Sequence, residues 1–498
     1  TSFFTLKCTL CTLHFALFTF SLSNMSLSRA IAGNTVVQVA GKFVGNLLGI
    51  VTIGVMTRAL GRNGYGEFTT AISFLQFFGI LVDFGLTLTM VRMIAGKRTD
   101  EARIASNIFT LRLVSGAAFF GLAPLLALAF PYGPAVKTAI AIGALSFFAM
   151  ANSQVLNGIF QKHLATGRAA VADIFGRAVL LAGALFAASA GANLLAFVAA
   201  FAVANGAQFL LALMFARKFT RVGLAFDLST WRTIISESWP IGISIAFNLI
   251  YLKGDVIILS LTRTQAEVGL YGAAYKVLDV ITIVPMIFMG LVLPVLAAAW
   301  AGGRRDEFAR KLGKSFDALT LLALPLAFGT APVAADLMAL VAGDEFAASG
   351  PYLAILMLAA AAVFWSALFG HAVVALGLQR RMIAAYAADA VISLALYAYA
   401  VPRYGGTGAA WVTVFAEGFI AVATAVAVIS TVRATPPMRT FMRALAASAL
   451  MTAAVVAAGP LHVLVRIVLG MTVYAALLAA FGVLTKDMFK MFRRPNAT

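Results

Sequence analysis

The chain has 498 residues, 62% of them hydrophobic and 11% charged, with a mean hydropathy of +0.96 and a formal charge of +18. An ordinary soluble chain is about half apolar, so this composition excludes a soluble domain and predicts a polytopic membrane protein. The basic residues lie in short clusters between apolar runs, without the separate basic domain that nucleic-acid binding requires, which excludes that class as well.

Residues 1–24 precede Met25 and read as an upstream or non-native leader, lacking the strong basic start of a signal segment. They hold both cysteines, Cys8 and Cys11, with His14 nearby. A zinc site needs a fourth ligand that nothing adjacent supplies, so neither a metal site nor a cofactor is expected.

Residues 33–57 are long enough to cross the hydrocarbon layer as a helix, yet carry Asn34, Gln38, Lys42 and Asn46 at steps of four. Those side chains form one polar line, beside which Gly41, Gly45 and Gly49 form a smooth strip for close approach of another helix. A lysine inside a membrane helix costs about 2.5 to 3.5 kcal/mol on insertion scales, so Lys42 should face protein or water. The segment reads as one wall of an internal cavity; the plainer alternative is that its polar groups bond neighbouring helices.

About fourteen apolar spans of membrane length follow Met25. Basic residues gather in the connections after even-numbered spans, as at Arg92 and Arg103, at Lys162 and Arg168, at Arg217, Lys218 and Arg221, and from Arg304 to Lys314. By the positive-inside rule both termini are cytoplasmic, and the number of spans is even. No connection is long enough to hold a core of its own.

The second span places Thr69, Ser73, Gln76, Asp83 and Thr87 on one face, lining the same cavity. Asp83 is a candidate carrier of a proton or sodium ion, because an intramembrane carboxylate is costly unless neutralised. The alternative is a structural, hydrogen-bonded carboxylate. In the seventh span Ser244, Asn248, Tyr251 and Asp255 share a face, whereas Lys253 lies off it. Lys276 and Asp279, three apart, and Asp173 and Arg177, four apart, suit local ion pairs. Asp317, Asp389 and Glu417 are isolated acids whose depth the spacing leaves open. Pro240, Pro285, Pro294, Pro325 and Pro332 interrupt the later spans and read mostly as static kinks.

Two short internal matches recur in order. Tyr65-Gly66 opens the second span as Tyr271-Gly272 opens the eighth, and Phe160-Gln161-Lys162 corresponds to Leu378-Gln379-Arg380. Six spans separate the equivalents, so the repeats run parallel. The expected architecture is all-α: a six-helix lobe over 25–216, a cytoplasmic linker over 217–236, a second six-helix lobe over 237–432, and two further helices with a basic tail over 433–498. No phosphate-cradling loop, zinc-protease helix motif or paired loop carboxylates occur, so an enzyme is not expected.

The run from Ser26 to Leu86, the run GDVIILSLTRTQAEVGLYGAAYKV from Gly254 to Val277, and YGGTGAAWVTVFAE from Tyr404 to Glu417 resemble bacterial polysaccharide (O-antigen type) flippases. These belong to the multidrug/oligosaccharidyl-lipid/polysaccharide exporter superfamily. The resemblance implies an inner-membrane protein moving a polyprenyl-pyrophosphate-linked oligosaccharide from the cytoplasmic to the periplasmic leaflet by alternating access. On that view Lys42 holds the diphosphate, helped by Lys253, while Asn34, Gln38, Asn46, Asn248 and Tyr251 bind sugar hydroxyls. Asp83 or Asp255 would couple transport to H+ or Na+. Expected partners are the lipid-linked oligosaccharide, membrane lipids, and a polysaccharide polymerase and ligase, but no nucleic acid. A cation-coupled multidrug antiporter of the same superfamily is the alternative; an integral-membrane polymerase would need an extramembrane catalytic loop that is missing.

Overall fold

The structure, a computed structural model, describes residues 27–94 and 100–483; the side chains of 27–39, 240, 241 and 243–253 lie outside that description, as do residues 1–24 with their cysteines. Among the described residues the fold is helical, without strands. The first half comprises α1 (Leu27–Asp83), α2 (Leu86–Ile94), α3 (Glu101–Ala127), α4 (Pro134–Lys162), α5 (Thr166–Ser189) and α6 (Leu194–Ala216). The second comprises α7 (Leu228–Thr262), α8 (Gln265–Ile281), α9 (Ile283–Ala301), α10 (Arg305–Thr330), α11 (Ala334–Ala342), α12 (Gly350–Ala375) and α13 (Gln379–Val432). Then α14 (Met438–Ala457) and α15 (Val463–Ala480) follow.

Eleven helical segments among the described residues are long and apolar enough to cross a membrane. Two of them are twice the needed length, because each folds back at a glycine: α1 at Gly61 (φ 63°) and α13 at Gly405 (φ 56°). In α13, Tyr397 Oη and Thr413 Oγ1 lie 3.1 Å apart, although sixteen residues of straight helix would separate them by about 24 Å. In α1 the first arm follows α5, with Gly41 against Ala170 and Gly45 against Arg177, whereas the second follows α4, with Leu75 against Gly143 and Val82 joined to Ala151 through Arg112. In turn α4 follows α6, with Gly143 against Val198 and Ser146 against Phe201. Since α5 and α6 are themselves antiparallel, packed Gly183 on Ala200 and Gly176 on Gln208, the two arms of α1 are antiparallel too. Positive φ is open to glycine without a Cβ clash, which is why both reversals fall there. Counting the arms brings the crossings beyond eleven, toward the fourteen expected.

Apolar side chains cover the outside of the bundle: Leu145, Phe186, Met214 and Val391 are each more than 60% exposed. Such a surface suits lipid and would aggregate in water. The long basic clusters and the non-helical stretch 221–227 gather at one end, here called the linker end; the reversals at Gly61 and Gly405 mark the hairpin end. At the linker end Asp227 caps α7, accepting hydrogen bonds from the Ser229 and Thr230 amides, and pairs with Arg103 of α3. These bonds, first from Ser229, then Arg103 and Thr230, hold the Asp227 carboxyl well below the usual carboxylate range.

The halves close on each other at the hairpin end. The second arm of α1 crosses α8 so tightly that a methyl on Gly66 would lie 1.7 Å from the Gln265 carbonyl oxygen, and one on Gly269 2.1 Å from that of Arg62. Thr70 Oγ1 donates to Gln265 Oε1 at 2.7 Å, and Tyr132 meets Ser260 at 3.1 Å. The matched dipeptides Tyr65-Gly66 and Tyr271-Gly272 therefore sit at the boundary of the halves, both tyrosines fully buried. The last two helices lean on α10, where Tyr474 Oη donates to the Leu321 carbonyl at 3.0 Å.

Candidate functional site

On the first half, the wall is the first arm of α1. Lys42 is exposed and Asn46 half-buried; Asn34 and Gln38, on the same line, lie outside the described side chains. The glycine strip does receive a helix. Arg177 of α5 lies across Gly45 and Gly49, donating Nη1 to the Gly45 carbonyl at 3.1 Å and Nε to Asp173 Oδ2 at 3.1 Å. Only glycine leaves room for a guanidinium against a helix backbone, so the strip places a second cation on the stretch of α1 that carries Lys42. Gln208 steadies Asp173 from α6 at 3.5 Å. The pairing of Asp173 with Arg177 is the one their spacing suggested.

Asp83 stands at the break between α1 and α2, where Phe84 (φ 35°) and Gly85 (φ 81°) leave helical geometry. Its Oδ1 accepts from Arg112 Nη1 at 2.7 Å and from Thr87 Oγ1 at 2.6 Å. Arg112 is 1% exposed and also donates to the Val82 carbonyl at 2.9 Å and the Ala151 carbonyl at 3.1 Å. The carboxylate and guanidinium thus neutralise each other within the first half and pin a broken helix. The sequence reading passed over Arg112; a single arginine in the apolar run of the third span was the available signal.

The second half has a different interior. Asp255 is fully buried and accepts from Tyr271 Oη at 2.7 Å. The Tyr271 hydroxyl lies 3.3 Å from Thr413 Oγ1, which lies 3.1 Å from Tyr397 Oη. These contacts string α7, α8 and both arms of α13 on one chain of hydroxyls. Further along the first arm of α13, Ser393 Oγ donates to Asp389 Oδ1 at 3.1 Å. Asp389 Oδ2 is buried with no hydrogen-bond partner among the described residues. Glu417, 6% exposed, lies one turn past Thr413 on the second arm. Asp389, Ser393 and Tyr397 follow steps of four, the same signal that marked the first span. Asn248, Tyr251 and Lys253 lie outside the described side chains. Asp83 and Asp255 sit in separate halves with separate partners. Lys276 and Asp279 form the expected local pair at 3.2 Å.

Among the described residues no group of three or more His, Cys, Asp and Glu is placed to hold a metal ion. What the two halves offer is Lys42 and the Asp173–Arg177 pair along the first arm of α1, and buried acids with hydroxyl partners in the second half.

Solved structures with this architecture include the lipid II flippase MurJ in an inward closed conformation, with a TM-score of 0.73 at 14% identity, covering 90% of this chain and 98% of that one. An inward-facing multidrug resistance MATE transporter of the MOP superfamily follows at 0.63 and 12% identity, covering 80% of this chain and 98% of its own. A MOP superfamily transporter from Pyrococcus furiosus, described by the reverse polarity of its binding pocket, gives 0.57 at 14% identity, over 83% of this chain and 98% of that one. At such identities the likeness is one of fold. No curated protein matches the chain. The polysaccharide biosynthesis protein family matches residues 31–300, more than half of the length. The chain therefore belongs to the polysaccharide biosynthesis protein family, on the fold shared by MurJ and the MATE transporters.

Proposed function

We propose that the protein is a flippase that carries a polyprenyl-pyrophosphate-linked oligosaccharide from the cytoplasmic to the periplasmic leaflet of the bacterial inner membrane, with both termini cytoplasmic. Its main support is the family match together with Lys42, an exposed cation on the first arm of α1 within the matched stretch. A diphosphate in a medium of low dielectric needs counter-charge, and the Lys42 ammonium supplies it. Asn46 stands one turn from Lys42 for a sugar hydroxyl; Asn34, Gln38, Asn248, Tyr251 and Lys253 complete the proposed binding set. With the halves joined at the hairpin end, loading would proceed from the linker end. Polymerase and ligase would then draw on the flipped product.

Ion coupling is assigned to Asp255 with Asp389 and Glu417 rather than to Asp83, whose charge Arg112 already balances. The same acids favour the second reading, a cation-coupled multidrug antiporter, since buried carboxylates suit cationic cargo. Depleting the protein and locating the polyprenyl-linked oligosaccharide with an impermeant probe separates the two. Cytoplasmic-face accumulation, reversed by the wild-type chain and by Lys42→Arg but not by Lys42→Ala, is expected. A normal lipid distribution with altered sensitivity to cationic dyes would overturn the flippase and leave the antiporter.

A further inference from the structure

At the hairpin end a cavity of about 910 Å³ opens between the top of the first arm of α1, the helix α11 with its flanking turns, and the turn joining α14 to α15. It is of the size that holds small ligands. Helix ends surround it on every side, which places it at the depth where lipid head groups meet water. Leu340 and Leu461, each more than 40% exposed, give its rim apolar walls.

Four charged side chains line it, Arg58, Asp336, Asp344 and Arg466. Two of these cancel: Arg466 Nη1 lies 2.8 Å from Asp336 Oδ2, and its Nη2 donates to the Pro332 carbonyl at 2.7 Å. The other two do not. Arg58 spends its donors on carbonyls, at 3.0 Å to Gly54, 2.9 Å to Val341 and 2.8 Å to Leu340, and meets no carboxylate among the described residues. Asp344 is exposed, with neither ion pair nor hydrogen bond there. Both residues line the same cavity, and Gly343, next to Asp344 in the chain, lies against the Arg58 stem, where a methyl would be 3.1 Å from Cγ. His462 accepts the Leu464 amide on Nδ1 at 3.3 Å, which leaves its Nε2 as the donor in the neutral ring.

We propose that this cavity holds the head group of a phospholipid bearing both a phosphate and a primary ammonium. The phosphate lies by Arg58 and His462, and the ammonium donates to Asp344. With its Nη atoms held by carbonyls, Arg58 offers a phosphate its Nε–H and a positive charge that no carboxylate among the described residues cancels. A carboxylate beside it discriminates among lipids: a primary ammonium hydrogen-bonds to it, a trimethylated one has no donor, and an anionic glycerol head group has no cation. The apolar rim leads the acyl chains to the lipid-facing surface. Because Arg58 reaches from the first half onto the carbonyls at the end of α11, the lipid sits on the closed junction of the halves.

The test uses the full-length chain, stripped of lipid and re-equilibrated with mixed micelles of equal phosphatidylethanolamine, phosphatidylglycerol and phosphatidylcholine; retained lipid is counted by mass spectrometry. Phosphatidylethanolamine should be enriched about fivefold over each of the others, a difference of about 1 kcal/mol. Asp344→Asn, at an exposed residue that the fold does not use, should bring the three lipids within about twofold; Arg58→Gln should lower retention of all three. Equal retention by the wild-type chain, a preference for phosphatidylglycerol, or a preference for phosphatidylethanolamine unchanged by Asp344→Asn would each overturn the proposal. So would full displacement of lipid by inorganic phosphate, the mark of a free-phosphate site.

Discussion

The two halves share a repeat and a boundary, yet treat buried charge in opposite ways. In the first, Asp83 is answered by Arg112 and Asp173 by Arg177. In the second, Asp389 and Glu417 stand among hydroxyls with no ion-pair partner among the described residues, and Asp255 receives the Tyr271 hydroxyl. Hydroxyls solvate a carboxylate without neutralising it. Under the proposed function the first half would keep its charges fixed, with Lys42 left over for an anion, and the second would gain or lose a small cation.

The contrast breaks most severely at Arg112. Replacing it by Met leaves the Asp83 carboxylate without its guanidinium and removes the bonds to the Val82 and Ala151 carbonyls. Removing one partner of a buried pair costs about 3 to 5 kcal/mol. We expect that loss in unfolding of the purified chain, and recovery of most of it in the double variant Asp83→Asn/Arg112→Met. A double variant no more stable than Arg112→Met would show that the pair is not what Arg112 supports.

Tyr271→Phe tests the second half. It deletes the donor to Asp255 and one link to Thr413, and bonds to charged groups are worth about 1.5 to 3 kcal/mol. The loss should fall to the roughly 0.5 to 1.5 kcal/mol of a neutral hydrogen bond in an Asp255→Asn background, a coupling that a double-mutant cycle reads directly. Asp389→Asn and Glu417→Gln should do the reverse. Stability changes by less than about 1 kcal/mol, because no ion pair is broken, while transport loses its dependence on a Na+ or proton gradient. Transport that keeps the same gradient dependence in both variants would remove these two acids from the coupling role.

How much of this was legible beforehand depended on range. A face is set by local geometry, so steps of four predicted the glycine strip of α1 that accepts α5. The matched dipeptides at Tyr65 and Tyr271 marked the boundary of the halves for a similar reason, since both positions need a small neighbour where two helices cross. Partners far apart in the chain were another matter. That Arg112 would find Asp83, or Tyr271 find Thr413 across 142 residues, is decided by how the helices pack, which spacing along one helix does not encode. The depth of Asp389 and Glu417 was hidden because α13 doubles back at Gly405, and an apolar run of its length gives no sign of which side will face inward.

The smallest expected effect lies outside the membrane, where the rule of the first half extends to the linker. Asp227 caps α7 and pairs with Arg103, tying the start of α7 to α3 at the surface. Its carboxyl is held low by Ser229, Arg103 and Thr230, so it contributes stability as the carboxylate. That contribution is complete above the unfolded carboxyl value of about 3.9 and fades only as pH falls below it toward the depressed folded value. Asp227→Asn keeps a capping side chain but loses the charge, and Asp227→Ala loses both. Between pH 5 and 8 both variants should be less stable than the parent by a constant margin, smaller for Asn; below about pH 4 the margin should shrink. A margin for Asp227→Asn that holds unchanged into acid would mean that the carboxylate charge adds nothing, and that the linker is held by its cap alone.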